Sequence, residues 1–135
     1  MNNDEALLDL ALQIRRDSIR MIRHAGSGHL GGAMGAAEIF AILYSEVLRH
    51  RPEEPDWKDR DRVILSNGHI CAAWYSVLAR TGYLPLKELA THRRINSRLQ
   101  GHPSRSKLPL LVDNSSGPLG QGPSIANGIA LSARM

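Results

Sequence analysis

The sequence predicts an α/β fold, a parallel sheet with helices on both faces, and three features predict it. The first is Val63-Ile64-Leu65, a short apolar run that ends at Ser66-Asn67-Gly68-His69 and leads into a helical pattern over residues 70–81. Strand, glycine turn and helix make the βα unit, and a strand buried on both faces reads as continuous apolar residues. The second is a long amphipathic pattern over residues 4–24. The third is a glycine loop, Asn114-Ser115-Ser116-Gly117-Pro118-Leu119-Gly120-Gln121-Gly122-Pro123-Ser124, that feeds a further apolar helix. Ligands of open α/β sheets bind at the carboxyl ends of the strands. His69 stands at that point.

The elements follow in order. Leu7, Ala11, Ile14, Ser18, Met21 and Ala25 recur at helical spacing, with Leu8 and Ile22 widening the stripe. Asp4 and Glu5 suit the first turn, Arg20 and Arg23 the last, and Gly26 is a stop. The run Gly26-Ser27-Gly28-His29-Leu30-Gly31 matches G-x-G-x-x-G in form. A dinucleotide site requires a strand before that pattern, and here a helix precedes it. The glycines read as a loop leading to a helix over residues 36–50, apolar on most sides and therefore buried, which sets His29 at a wall of the core. Residues 51–62 read as surface loop. Gly82 stops the helix of the βα unit. A short helix over residues 86–95 follows Pro85, and Gly101-His102-Pro103 is a turn. Leu108 to Val112 is another short apolar run. The last helix begins near Pro123 and is still amphipathic at Met135 with no cap. This reads as a truncation, or as a break completed by another chain.

The chain has 135 residues, enough for one domain with a modest core. Its 17 basic residues against 13 acidic ones are dispersed, and aromatics make up 4%. That is not the basic run with stacking residues expected of a nucleic-acid surface. No apolar run reaches membrane-spanning length, and no basic leader precedes an apolar stretch. The one cysteine, Cys71, excludes an intrachain disulfide and a cysteine-built zinc site, and points to a reducing, cytoplasmic setting. It lies on an apolar helix face and reads as core packing.

Of six histidines, none shows zinc-ligand spacing. His29, His69 and His102 each follow a glycine in a loop, where the imidazole is presented without crowding. His24 and His50 read as local helix-end residues and His92 as a solvated helix residue. A rigid glycine loop before a helix suits a small ligand. Imidazoles that can exchange protons near neutral pH suit general acid–base chemistry.

Taken together, Ser27-Gly28-His29, Asp59-Arg60-Asp61-Arg62 running into Ser66-Asn67-Gly68-His69, Thr81-Gly82-Tyr83, Gly101-His102-Pro103 and Gly117-Pro118-Leu119-Gly120-Gln121-Gly122 resemble the N-terminal, thiamine diphosphate-binding segment of transketolase. Gly31-Gly32 and Gln121-Gly122-Pro123-Ser124 look closer to the split transketolases, whose halves are separate chains. The resemblance makes residues 1–135 the N-terminal part of that domain. It implies transfer of a two-carbon ketol unit from a ketose phosphate to an aldose phosphate. It implies that His69 contacts the cofactor diphosphate and that Gly117 and Leu119 meet the aminopyrimidine through backbone carbonyls. His29 and His102 would bind sugar hydroxyls and assist proton transfer, and Arg93 matches a family arginine near the site entrance.

The family's Gly-Asp-Gly metal motif, which supplies a carboxylate for Mg2+, is absent from these residues, and the catalytic glutamate belongs to the other half of the enzyme. The chain alone is therefore expected to bind cofactor poorly and not to turn over. The resemblance further implies a C-terminal transketolase half or subunit as partner, in a homodimer or heterotetramer. Deoxyxylulose-phosphate synthase shares fold and cofactor, but Asn67 and the Gly117-Pro118-Leu119 loop favour transketolase. A truncated, non-catalytic interaction domain is the other reading.

Overall fold

The computed structural model describes residues 2–135. Helix α1, Asn3–Ala25, is specified at both ends. At its start Asn2 accepts from the Glu5 amide at 2.8 Å and Glu5 accepts from the Asn2 amide at 2.9 Å, a reciprocal capping box. At its end Gly26 takes the left-handed conformation, φ 69°, and closes the helix on the Arg23 carbonyl. Ala11, Ile14, Ser18 and Met21 are buried along one face, and the buried Ser18 hydroxyl donates to the Ile14 carbonyl. Leu8 is exposed, so the buried stripe is narrower than its apolar pattern.

The glycine-rich stretch after α1 is helical, contrary to the loop expected of it. Helix α2 spans Leu30–Gly35 and α3 spans Ala37–Ile42, continuing as a π-helical turn over Leu43–Val47. Small side chains let this segment sit close to its neighbours: a Cβ on Gly32 would lie 2.7 Å from Ile70 Cγ2. The expected all-round burial of residues 36–50 does not hold. Ala37, Phe40, Ala41 and Tyr44 face inwards, while Ile39, Ile42 and Val47 are exposed.

A one-turn 3-10 helix, Gly68–Ile70, leads into α4, Cys71–Arg80, in which Cys71 through Ala79 are all buried. A helix apolar on every side belongs inside. Trp74 and Tyr75 are its largest buried side chains, and the Trp74 indole donates to the Tyr44 hydroxyl at 2.6 Å. Ser76 and Arg80 both donate to Asp17 of α1, at 2.9 Å and 2.8 Å, so the buried carboxylate has a cation and a hydroxyl. A 3-10 helix over Leu86–Thr91 and a chain of turns follow, then α5, Gly122–Ser132, with proline in its first turn.

No strand forms among the described residues, so they do not show the expected parallel sheet. Val63, Ile64 and Leu65 are partly buried yet neither donate nor accept a backbone bond with any other described residue. A strand is defined by its ladder. An apolar tripeptide without an adjacent strand cannot build one. The second apolar run, residues 108–112, closes as turns, with Leu108 and Val112 packed into the core.

Candidate functional site

Three glycine–histidine steps converge. The rings of His29 and His69 lie 5.2 Å apart and those of His29 and His102 lie 6.4 Å apart, both edge to face. His29 is the residue before α2, His69 lies in the 3-10 turn before α4, and His102 follows the turns after the 3-10 helix. His29 and His102 are exposed and His69 is half-buried. His29 therefore stands at a helix start on an open face, not at a core wall.

Glycine precedes each histidine for a reason of space. Gly28 has φ 151°, and a Cβ there would meet Ile22 Cγ1 of α1 at 2.8 Å. A Cβ on Gly68 would fall 2.5 Å from Ser116 Oγ and 2.9 Å from the Ser116 carbonyl oxygen, a contact no side chain could make. The glycine loop thus lies directly on the turn that carries His69. Two bonds secure it: the Gly120 amide donates to the Ser66 carbonyl at 3.1 Å, and the Gly122 amide to the Ser66 hydroxyl at 3.2 Å. On its other flank the Ser116 amide donates to the Pro103 carbonyl beside His102 at 3.3 Å.

Gly117 and Leu119 sit in this clasped segment, and Leu119 is exposed. No backbone amide of a described turn or loop donates to either carbonyl, which leaves both with acceptor capacity. Ser116 Oγ is buried there with no hydrogen-bond partner among the described residues. An orphaned buried hydroxyl next to free carbonyls is the pattern of a wall that a polar ligand would complete. Arg93 has the positive φ of 60° and donates its amide to the Leu99 carbonyl at 2.8 Å. Its guanidinium lies against Gly101, Cζ 3.0 Å from where a Cβ would be, next to His102. All six residues expected at a site therefore fall on one region.

Electrostatics favour the neutral form of one ring. Burial, then the neighbouring His29, His69 and Arg93, push the His102 pKa below its usual value. Cys71 takes no part: burial pushes its thiol up to about 12, and Sγ points to the carbonyls of Gln100 and Gly101. Among the described residues no group of three His, Cys, Asp or Glu side chains is placed to hold a metal ion.

Ser66 and Ser116 were not anticipated, although both matter to the geometry. A place within two residues of a motif glycine was their only signal. His92, expected on a solvated surface, is buried at 3% exposure with Nδ1 unpartnered and packs edge-on to Tyr75. His50 is also more than a helix-end residue, since its ring bridges the Tyr83 hydroxyl at 3.0 Å and the Tyr44 carbonyl at 2.7 Å.

Residues 8–135 match the family described as transketolase, thiamine diphosphate binding domain. The chain belongs to that family. Transketolase 2 of Escherichia coli (strain K12) is 46% identical over 127 residues, covering 93% of this chain and 19% of that protein. Transketolase of Treponema pallidum is 43% identical over 133 residues, covering 98% and 20%. Among solved structures, transketolase from Campylobacter jejuni superposes with a TM-score of 0.88 at 40% identity, over 98% of this chain and 20% of that one. Transketolase from Pichia stipitis, solved in complex with sedoheptulose-7-phosphate, gives 0.88 at 35% identity, over 94% and 19%. The chain thus spans about a fifth of the length of these relatives.

Proposed function

We propose that this chain is the cofactor-diphosphate-binding part of a thiamine diphosphate-dependent transketolase. The complete enzyme moves a two-carbon ketol unit from a ketose phosphate to an aldose phosphate. The observation that carries this reading is the cluster of three imidazoles beside a clasped glycine loop whose carbonyls are free. The family match and the sugar phosphate bound to the Pichia stipitis relative support it.

The residues present fit the cofactor. Gly117 and Leu119 would accept from an aminopyrimidine through their carbonyls, and Leu119 would pack beside the ring. Ser116 Oγ would find a polar partner in the same wall. His69, on a turn too tight for any residue but glycine before it, would donate to the diphosphate. When bound, thiamine diphosphate supplies the electron sink for breaking the carbon–carbon bond next to a ketose carbonyl. His29 and His102 would hold the sugar's hydroxyls and pass protons at their ring nitrogens. The depressed pKa of His102 keeps a ring nitrogen available as acceptor at neutral pH. Arg93 would stand at the mouth of the site as a cation for the substrate's phosphate.

Oxygen ligands outside these residues would hold Mg2+ or another divalent cation at the diphosphate, and the C-terminal half or subunit would bring the catalytic glutamate. A homodimer or heterotetramer would then form. A free buried thiol suits a reducing cytoplasm.

The test is to co-express the chain with its genomic neighbours and measure thiamine diphosphate-dependent ketol transfer and cofactor affinity. Activity is expected in the assembled enzyme, with cofactor binding weakened by His69→Ala. An active assembly whose cofactor affinity ignores His69→Ala refutes the placement of His69. Activity of the purified chain by itself refutes the shared site.

A further inference from the structure

One cleft in the molecule contains none of the three clustered histidines. It holds about 800 Å3 between the last turns of α1, the end of α4 and the 3-10 helix over Leu86–Thr91. Met21, Leu86, Leu89 and Ala90 give it an apolar floor. Its rim carries three cations, Arg20, Arg23 and Lys87, beside His24. Arg94 donates to Nε2 of His24 and brings another cation to that edge. The single carboxylate in the lining, Asp17, is already bonded by Arg80 at 2.8 Å and 3.1 Å, with Arg20 at a looser 3.6 Å. Its charge is spent on Arg80 and Arg20, and that of Arg23 and Lys87 on the rim is not.

Helix ends account for part of this charge. Arg23 and His24 lie in the last turn of α1, and Arg80 closes α4, where cations offset the carbonyl end of the helix. Lys87 stands near the beginning of its helical segment, where the same argument disfavours a cation. Among the described residues, neither Lys87 nor Arg23 has an acidic partner within 4.0 Å. Converging unpaired cations over an apolar floor describe a receptor for an anion with a hydrophobic body. A guanidinium fork on α1 facing an ammonium on the 3-10 helix matches the oxygens of a phosphate better than a single carboxylate.

We propose that this cleft binds an organic phosphate with an apolar or aromatic body, as a second site remote from the imidazole cluster. The cations of the rim take the phosphate, and the body lies on Met21, Leu86, Leu89 and Ala90.

The experiment titrates the full chain, or its assembled complex, with 1-naphthyl phosphate, inorganic phosphate and 1-naphthol, by calorimetry and amide NMR. Saturable binding of 1-naphthyl phosphate is expected, with amide shifts in residues 20–24 and 86–90 and much weaker binding of the other two compounds. Arg23→Gln combined with Lys87→Gln removes exposed charges that have no acidic partner, and should weaken binding at least about tenfold, as loss of charged hydrogen bonds does. Ala90→Glu, which adds bulk and a negative charge to the floor, should abolish it. His69→Ala should change nothing, which separates this site from the proposed cofactor site. Three results would overturn the inference: no saturable binding, inorganic phosphate binding as well as the naphthyl ester, or affinity indifferent to Ala90→Glu and to the double substitution.

Discussion

Helices α4 and α5 have much in common in sequence and little in surroundings. Both are short, follow a glycine turn and carry mainly apolar side chains. Every residue of α4 from Cys71 to Ala79 is buried, against α1, α2 and α3. Gly122 is the only fully buried residue of α5, and Leu131 is 63% exposed. No extended contact joins α5 to another helix among the described residues. Apolar character alone therefore does not make a helix part of the core. The difference lies in what is packed against it. The α1–α4 half is a closed body, whereas the glycine loop and α5 rest on it by the Ser66 clasp and leave unbonded carbonyls and an apolar flank open.

The sharpest measure of this contrast is Trp74→Ala. The substitution empties the largest buried site and strands the Tyr44 hydroxyl, so it should cost about 4 kcal/mol in denaturant unfolding. A cost under about 1 kcal/mol would show that α4 is not the centre of the closed half.

Next in size is a pH effect within the same half. Burial holds the His92 pKa down to about 4, with the charge of Arg93 helping and a backbone bond at Leu99 opposing. The unfolded imidazole titrates near 6.5, so between those values the unfolded state binds more protons. Stability should be full above pH 6.5 and decline as pH falls towards 4, by roughly 3 kcal/mol in all. His92→Phe should remove that slope. An unchanged slope would assign it to other groups.

Smaller, and aimed at the junction of the two regions, is Gly68→Ala. Its methyl would press on Ser116 Oγ and on the Ser116 backbone, costing about 2 kcal/mol and displacing the loop. Adding Ser116→Ala should recover part of the loss, because only the first of those contacts disappears. Full additivity of the two substitutions would mean that loop and turn do not touch in solution.

Leu131→Ala should have the least effect, within about 0.5 kcal/mol, with α5 amides exchanging far faster than those of α4. A loss of 2 kcal/mol would break the comparison by showing α5 packed.

The elements specified by local chemistry were legible in the sequence. Helix α1 carries its own boundaries in its acidic first turn and Gly26, and α4 is bounded by Gly68 and Gly82. The convergence of the candidate residues was legible as well, because three glycine–histidine steps and a glycine loop are marks of close approach whatever surrounds them. What could not be read depended on distant partners. Val63-Ile64-Leu65 has the composition of a strand, but a strand requires a neighbour that composition does not reveal. Leu30–Gly35 is helical despite its glycines because it packs over Ile70, forty residues later in the chain. His92 looked solvated because nothing beside it announces that Tyr75 will cover it.

The two bonds to Ser66 have a consequence for the way the protein is made. Ser66 and Gly122 are 56 residues apart. A ribosome releases the first of them long before the second, and domains begin to organise from the N-terminal side as they emerge. Helices α1 to α4 can assemble during that interval. The turn bearing His69 gains its clasp only when synthesis has reached α5, so the imidazole cluster takes its final form after the helical body that carries it.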